Sequence, residues 1–209
     1  MKAAIFDMDG TLISSMEKWG EACVSPLIKR NISYPEDIVN IITPLGMKKT
    51  AEYYLTLGID DSAEEILNEI LEVIEYEYKH NIQAKPHIYE YLEKLKAEGV
   101  KMCVLTASAR KYAIPCLERL DLLKYFEFFT SSDETGYPKT NPEIFKLTAK
   151  KLGFSVEDTA VFDDNLEAVS AAKQAGTIVY GVYDKSSEHL AEDIKKNCDF
   201  YINSFEELL

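Results

Sequence analysis

The chain has 209 residues, enough for one large hydrophobic core or for one core with a small accessory unit. Hydrophobic residues make up 46% of it and charged residues 28%, as in an ordinary folded globular protein. The formal net charge of −13 argues against nucleic acid or an anionic membrane as a partner over a broad surface. A small anionic substrate is still compatible with this charge, because a few local cations and a metal can reverse the field within one pocket.

Cysteine usage and hydropathy predict a cytoplasmic protein. The four cysteines are far apart and form no CxxC pair, so free thiols are expected rather than a disulfide framework. No stretch is long and apolar enough for a membrane-spanning helix, and a first strand that begins at Lys2 leaves no room for a signal peptide. The sequence gives no indication of the oligomeric state.

The first predicted element is a short buried strand at 3–6, which runs directly into Asp7-Met8-Asp9-Gly10-Thr11. Two carboxylates at this spacing share one small site if the chain turns just past the first. One could then attack an electrophile while the other handles the proton of the leaving group or helps to hold a metal. Taken alone, the fragment is equally compatible with an acidic turn in which an Asp caps a helix.

The stretch from about 16 to 83 has the pattern of helices only. Its clearest helix runs from Ser62 to about His80, because Ser62-x-x-Glu65 forms a capping box ahead of a periodic apolar face. No strand pattern interrupts this stretch. We therefore interpret it as a helical insertion between the first strand and the next.

From Pro86 onward, apolar strand-like runs alternate with amphipathic helical patterns. A helix beginning at Pro86 and ending at Gly99 precedes the first of these runs. The predicted strands lie at 102–105, 126–129, 160–162, 178–182 and 200–202. Strands that alternate with helices predict an α/β fold with right-handed crossovers and a parallel sheet covered on both faces.

Polar side chains follow the strands of this predicted sheet at the edge where ligands bind in such folds. They are Asp7 and Asp9 after the first strand, Thr106 after the second, Lys139 on the loop after the third, and Asp163 and Asp164 after the fourth. Individually, Thr106 or the Asp163-Asp164 pair could cap the following helix, and Lys139 could be a solvated loop residue. Their joint placement on one edge favours a functional site.

Phosphoryl transfer through an aspartyl-phosphate is the chemistry that fits this set. Mg²⁺ prefers carboxylate oxygens, waters and substrate phosphate as ligands, and it would neutralise carboxylates that otherwise repel an incoming phosphate. Lys139 and the Thr106 hydroxyl would hold the remaining phosphoryl oxygens. The sequence thus predicts Mg²⁺ as cofactor and a small phosphorylated metabolite as partner.

At this point the sequence resembles the haloacid dehalogenase-like hydrolase superfamily, in particular its phosphatase and β-phosphoglucomutase-like branch with a small helical cap. The matching motifs occur in order along the whole chain: Asp7-x-Asp9-Gly10-Thr11, a strand ending at Thr106, Lys139-x-x-Pro142-Glu143-Ile144-Phe145, and Asp163-Asp164. The resemblance implies a Rossmann-like doubly wound parallel sheet core at 1–15 and 84–209. It also implies a helical cap domain at 16–83, inserted after the first strand.

The resemblance also implies a role for each motif residue. Asp7 would be the nucleophile, and Asp9 would protonate the leaving alcohol and then deprotonate the attacking water. Thr106 and Lys139 would bind the transferring phosphoryl group. Mg²⁺ would be held by Asp7, the Asp9 main-chain carbonyl and Asp164, with Asp163 in or bordering that set.

Three positions depart from the family pattern. Ser14 stands where an Asp is common, and Thr140 stands where a Pro often follows the motif lysine. Neither position carries chemistry in the scheme above. Trp19 stands about where the sugar-phosphate mutases of this branch carry a His, which favours a phosphatase over a mutase.

Other chemistries of the superfamily, and one other class of protein, fit less well. Dehalogenases lack an acid at the position of Asp9, and phosphonate hydrolysis would need Lys48 or Lys49 as a Schiff-base lysine, whereas adjacent lysines opening a helix are usually solvated. A response-regulator receiver domain has its acidic pair after the first strand and no helical insertion. In this chain the adjacent pair Asp163-Asp164 comes last in order, and the insertion is large. Candidate substrate contacts are Gly46, Lys48 and Lys49 in the loop and helix start of the cap, Trp19, and Ala107 next to Thr106.

Overall fold

The computed structural model describes all 209 residues of the chain apart from the side chain of Pro44. The chain forms two compact units. Met1–Ser15 and Ile82–Leu209 make up the first, here called the core unit, and Met16–Asn81 make up the second, here called the helical unit. The roles of catalytic core and cap, with bounds at 1–15, 84–209 and 16–83, remain predictions about these units.

A six-stranded sheet forms the centre of the core unit. Its strands are β1 (Ala3–Phe6), β2 (Lys101–Thr106), β3 (Phe128–Ser131), β4 (Thr159–Asp163), β5 (Ile178–Val182) and β6 (Phe200–Ile202). They lie in the order β3-β2-β1-β4-β5-β6, and every neighbouring pair is parallel. The chain starts at the centre, winds to one edge and then returns to wind to the other, which is the doubly wound order of Rossmann-like folds. The predicted α/β fold class is confirmed.

Helices make up the helical unit and connect the strands of the core unit. In chain order they are α1 (Met16–Lys29), α2 (Ile38–Ile42), α3 (Met47–Thr56), α4 (Ala63–His80), α5 (Ile88–Ala97), α6 (Arg110–Arg119), α7 (Ser132–Thr135), α8 (Glu143–Leu152), α9 (Leu166–Ala175) and α10 (Ala191–Asn197). Across the described residues, none of these helices combines the length and the apolar character that crossing a bilayer requires.

The register of the central strands is marked by three stacked aromatic rings. Phe6 on β1 stacks on Phe162 on β4, and Phe162 stacks on Tyr180 on β5, each with ring centroids 4.5 Å apart. Cross-strand aromatic pairs of this kind stabilise one pairing over its neighbours. The ladder continues one step further, because the Asp7 amide donates to the Phe162 carbonyl at 2.9 Å. Asp7 and Asp163 therefore follow their strands side by side.

Strand β3 lies two residues later than its aromatic run predicts. The prediction placed it at 126–129, but the strand pairs with β2 from Phe128 to Ser131. Phe126 instead follows a short helical turn and packs edge-on against Phe6, with centroids 6.0 Å apart. The apolar residue at the start of the run thus fills the core from a loop, and the polar Thr130 and Ser131 complete the strand.

Helix α5 begins at Ile88 rather than at Pro86. His87, the residue before it, has a left-handed backbone with φ of 61°. A second local feature missed from the sequence is α7, a short helix opened by a capping box between Ser131 and Glu134. The Ser-x-x-Glu spacing was the signal that could have revealed it.

Within the helical unit, α4 has the predicted capping box and apolar face. Ser62 accepts from the Glu65 amide, and the Glu65 carboxylate accepts from the Ser62 amide at 2.8 Å. The buried side chains of α4 recur every four residues and form one stripe: Ile66, Ile70, Ile74 and Tyr78. This periodicity explains why the helix packs inside its unit along a single face.

Candidate active site

The candidate site is built at the carboxyl ends of β1, β2 and β4. Asp7 directly follows β1, Thr106 is the last residue of β2, and Asp163 is the last residue of β4. Because these strands are neighbours and parallel, the topology brings residues that are far apart in sequence to one edge of the sheet. All three are almost completely buried.

A tight turn after β1 redirects the chain around Asp9. The Met8 carbonyl accepts hydrogen bonds from the amides of Leu12 and Ile13 at 2.9 and 3.0 Å. Gly10 occupies the turn with φ of 85°, and a Cβ there would overlap the carboxylate of Asp164. The glycine is therefore required both by the left-handed backbone and by the close approach of an acidic side chain.

Lys139 lies between two carboxylates of the site. Its ammonium nitrogen is 2.6 Å from Asp7 Oδ1 and 2.5 Å from Asp163 Oδ2, a buried atom that otherwise lacks a well-aligned hydrogen-bond donor. The side chain of Lys139 is only 11% exposed. The predicted phosphate-binding lysine thus meets the predicted nucleophile in the folded chain, which a solvated loop lysine would not do.

The carboxylates of Asp7, Asp163 and Asp164 form a group that fits a divalent cation. One oxygen from each lies within 4.8 Å of the others, and all three residues are buried. Asp163 Oδ1 also accepts the Asn165 amide at 3.0 Å, which fixes its carboxylate. Hard oxygen donors are the ligands that Mg²⁺ prefers. The predicted set of Asp7, Asp9, Asp163 and Asp164 is thus brought together except for the Asp9 side chain, whose carboxylate oxygens contact two serines instead.

The charges of the group are unbalanced, since three buried carboxylates share one buried ammonium. Burial raises the pKa of Asp7 to about 7; the Lys139 ammonium opposes this shift, and Asp163 adds to it. Burial and the nearby Asp7 and Asp163 carboxylates also raise the pKa of Asp164. Burial disfavours the charged form of Lys139, but Asp163 and Asp7 outweigh it and raise its pKa. A divalent cation would neutralise the excess negative charge.

This imbalance predicts that Mg²⁺ stabilises the fold more at high pH. Without metal, the raised pKa of Asp7 favours its protonated form in the folded protein. The contribution of Asp7 to the stability of the fold is therefore complete below pH 3.8, and it is lost as the pH rises through about 7. Mg²⁺ bound at this group would replace the proton. In a thermal-shift measurement we expect Mg²⁺ to raise the melting temperature more at about pH 8 than at about pH 5. Equal shifts at the two pH values would contradict this explanation.

Thr11 fixes the orientation of Asp164. Its hydroxyl donates to Asp164 Oδ1 at 3.1 Å, and both residues are buried. Hydrogen bonds of this kind hold a metal ligand in position. We expect Thr11→Val, which keeps the shape and removes the donor, to weaken Mg²⁺ binding by on the order of 10-fold in titration calorimetry. Thr11→Ser should bind Mg²⁺ like the wild type, and an unchanged affinity in Thr11→Val would exclude this role.

Thr106 ends β2, and Ala107 is the first residue of the loop that follows. Thr106 Oγ1 accepts the amide of Ser108 at 3.0 Å, which does not use its O–H, so the hydroxyl can donate to a phosphoryl oxygen. Ala107 is exposed in the same loop. A substrate contact at Ala107 remains a prediction.

The other predicted substrate contacts lie in the helical unit. Trp19 Nε1 donates to the Tyr78 hydroxyl at 3.0 Å, and the two rings pack edge to face within that unit. Gly46 precedes α3 with φ of 73°, and Lys48 and Lys49 are exposed in the first turn of that helix. Their contact with a substrate remains a prediction.

A cavity of about 230 Å³ lies elsewhere in the core unit. Lys85, Tyr183, Asn203 and Phe205 are among the residues that line it, and the candidate catalytic residues do not. Lys85 pairs there with Asp184 at 2.7 Å. The active-site assignment therefore depends on the chemistry of the strand ends, not on the depth of a cavity.

Residues 1–176 match the family model of the haloacid dehalogenase-like hydrolases. The chain belongs to this family. The predicted superfamily is confirmed, and so is the prediction of an enzyme related to its phosphatases.

Two relatives and one solved structure illustrate which haloacid dehalogenase-like proteins the chain is similar to. A phosphorylated carbohydrates phosphatase of Thermotoga maritima is 31% identical, over 87% of this chain and 85% of that protein. A glyceraldehyde 3-phosphate phosphatase of Methanocaldococcus jannaschii is 27% identical, over 100% of this chain and 96% of that protein. A crystal structure of a candidate β-phosphoglucomutase from Thermotoga maritima superimposes with a TM-score of 0.83 and 28% identity over 100% of both chains.

Two contacts of the site escaped the sequence analysis. Both oxygens of the Asp9 carboxylate accept serine hydroxyls, from Ser15 and from Ser108, each at 2.6 Å. Ser15 carries no signal in the sequence, because its approach to Asp9 depends on the turn at Gly10. Ser108 follows Thr106 by two residues, a spacing typical of a hydroxyl that caps its own loop.

Proposed function

We propose that the protein is a Mg²⁺-dependent phosphatase that hydrolyses a small phosphomonoester through a phosphorylated Asp7. The observation that carries the proposal is the ion-paired position of Asp7, which lies at the end of the central strand with Lys139 at 2.6 Å. Phosphoryl transfer to a carboxylate requires that the carboxylate act as nucleophile and that a cation bind the phosphoryl oxygens. Asp7 and Lys139 provide these two groups. Phosphatases of phosphorylated carbohydrates and of glyceraldehyde 3-phosphate among the relatives support this substrate class.

In the first step, an Asp7 carboxylate oxygen attacks phosphorus. A bond forms between that oxygen and phosphorus as the bond from phosphorus to the leaving oxygen breaks, and Asp9 gives its proton to the leaving oxygen. Lys139 and the Thr106 hydroxyl stabilise the charge on the transferring phosphoryl group. The product alcohol then departs, and the phosphoryl group stays on Asp7.

In the second step, water releases phosphate. Asp9, now ionised, takes a proton from the attacking water, whose oxygen bonds to phosphorus as the bond to Asp7 breaks. Asp7 and Asp9 return to their starting states. Asp7, Asp164 and the Asp9 main-chain carbonyl would hold Mg²⁺, with Asp163 in or bordering the set. Bound Mg²⁺ supplies charge neutralisation and alignment of the phosphoryl group.

Phosphosugar mutase activity is the second candidate, because the fold of a candidate β-phosphoglucomutase superimposes on the whole chain. The same aspartyl-phosphate chemistry serves both reactions, so the product distinguishes them. A phosphatase releases inorganic phosphate, whereas a mutase returns an isomerised sugar phosphate. Trp19, which stands about where mutases carry a His and is hydrogen-bonded to Tyr78, favours hydrolysis.

Phosphate release from a panel of sugar phosphates, nucleotides and phosphoglycolate tests the proposal. We expect release from at least one small phosphomonoester with Mg²⁺, its loss with EDTA, and its recovery when Mg²⁺ is added in excess. Isomerised product without free phosphate would favour the mutase. Phosphate release that persists in EDTA would overturn the metal-dependent mechanism.

A further inference from the structure

The Asp9 carboxylate is held at both of its oxygens by serine hydroxyls. Ser15 Oγ donates to Oδ1 and Ser108 Oγ donates to Oδ2, each at 2.6 Å. These short distances are typical of hydroxyl donors to a carboxylate. The proposed reaction does not itself use either serine.

The two serines come from different parts of the core unit. Ser15 is completely buried and ends the first segment of that unit, six residues after Asp9. Ser108 is half-buried in the loop after β2, and its amide donates to Thr106 Oγ1 at 3.0 Å. Asp9 is therefore held from two independent directions, one of which also includes a proposed phosphate-binding residue.

The backbone around Ser15 is fixed by hydrogen bonds to the segment that re-enters the core unit. The Ser14 amide donates to the Gln83 carbonyl, and the Lys85 amide donates to the Leu12 carbonyl, each at 2.9 Å. Ile13 forms an isolated bridge with Ala84 between them. The position of the Ser15 hydroxyl is thus set by the fold and does not depend on side-chain freedom alone.

A hydroxyl suits a carboxyl group that gains and loses a proton. Serine carries one O–H donor and can also accept, so it pairs with either state of a carboxyl group. When Asp9 is ionised, both serines donate to it. When Asp9 carries a proton on one oxygen, that proton can point to the leaving oxygen while the serine at the other oxygen still donates to the carboxyl group. The plane of the carboxyl group therefore stays in place through the reaction.

We propose that Ser15 and Ser108 are positioning residues that hold Asp9 for proton transfer to the leaving oxygen and from water. The inference rests on the proposed function, since it assigns a purpose only if Asp9 is the general acid and base. Moving a catalytic group even slightly from its productive position lowers the rate of the step that uses it. The serines should therefore affect the step in which the leaving group needs a proton.

The test compares Ser15→Ala and Ser108→Ala on two kinds of substrate. One is the best alkyl phosphomonoester of the panel, whose leaving oxygen needs protonation, and the other is 4-nitrophenyl phosphate, whose leaving group departs as a stable anion. With Mg²⁺ saturating, we expect each variant to lower kcat/KM on the alkyl ester by about tenfold, since this ratio reports the steps up to phosphorylation of Asp7 and not the water attack that both substrates share. On 4-nitrophenyl phosphate the loss should be several-fold smaller.

Two further variants separate positioning from general damage. Ser108→Thr keeps a hydroxyl in a half-buried position and should restore most of the rate. Ser170→Ala removes another half-buried serine hydroxyl of the core unit, one that bonds the Leu166 carbonyl of its own helix at 2.8 Å, and should match the wild type on both substrates. If Ser15→Ala fails to fold, the Ser108 variants carry the test.

The inference is overturned if kcat/KM falls equally on both substrates, or if neither serine variant changes it. A third result against it would be an additional loss when either alanine is introduced into Asp9→Asn, because residues that act through Asp9 should have no further effect there. A wild-type enzyme that releases no phosphate from any alkyl ester would instead reject the proposed function. Normal wild-type activity with unaffected serine variants would reject only the positioning role.

Discussion

Asp7→Asn is expected to lower the turnover of phosphomonoesters by at least about 10³-fold, the scale seen when a covalent nucleophile is removed. The amide has nearly the same shape as the carboxylate, but its oxygen is a poor nucleophile and does not form the phosphorylated intermediate. The substitution also removes one of three clustered, buried carboxylates, one that pairs with Lys139. We therefore expect the variant to fold, and its phosphate release can be measured directly.

A second readout makes this test specific. Acid quenching during turnover should give a wild-type protein heavier by one phosphoryl group, and Asp7→Asn should remain unmodified. Asp158→Asn is the control, since that exposed aspartate also pairs with a lysine, Lys2 at 2.9 Å, outside the site. Wild-type phosphate release by Asp7→Asn would refute the proposed mechanism.

Asp9→Asn is expected to slow hydrolysis of alkyl phosphomonoesters by about 10²- to 10⁴-fold, the range for loss of a general acid and base. An amide cannot give a proton to the leaving oxygen or take one from water. The loss on 4-nitrophenyl phosphate should be smaller, because its leaving group needs no proton. Steady-state kcat/KM values on the two substrates measure the difference, because they exclude the water attack that both substrates share.

Mg²⁺ binding provides the control for Asp9→Asn. The proposed metal contact of this residue is its main-chain carbonyl, which the substitution keeps, so the Mg²⁺ affinity in titration calorimetry should stay close to that of the wild type. A large loss of Mg²⁺ affinity would mean that the Asp9 side chain acts on the metal. Equal losses on both substrates would argue against its role as the acid.

The fold and the chemistry of the strand ends were predictable because each depends on local sequence together with a general rule of parallel sheets. The run at 3–6 is too short for a helix and indicates a buried strand, so Asp7 was expected directly after a strand. Asp163 was placed on the same edge of the sheet by the alternation of strands and helices. The distance between Lys139 and Asp7 was not predictable, since it depends on the path of an irregular loop.

The remaining misses have physical causes. The aromatic run at 126–129 was assigned to a strand, but aromatic side chains fill a core equally well from a loop, as Phe126 does. The contact of Ser15 with Asp9 requires the left-handed turn at Gly10, which reverses the chain within a few residues. Periodicity does not describe such a reversal.

Substrate contacts were the least predictable part. Gly46, Lys48 and Lys49 lie in the helical unit. Exposed lysines at the start of a helix have the same sequence pattern whether or not they contact a ligand. Residue type therefore does not distinguish solvation from recognition here. The substrate panel addresses this question directly.

The central position of β1 has a consequence for biosynthesis. Ala3 pairs with Lys101 on one side and with Thr159 on the other, so the strand that is made first acquires both neighbours only after most of the chain has been synthesised. Contacts this distant in sequence slow folding, whereas the helical unit is contiguous and can form earlier. On a ribosome, β1 and Asp7 would remain unpaired until β2 and β4 emerge, so the nascent chain exposes an apolar, unpaired strand to chaperones during that interval.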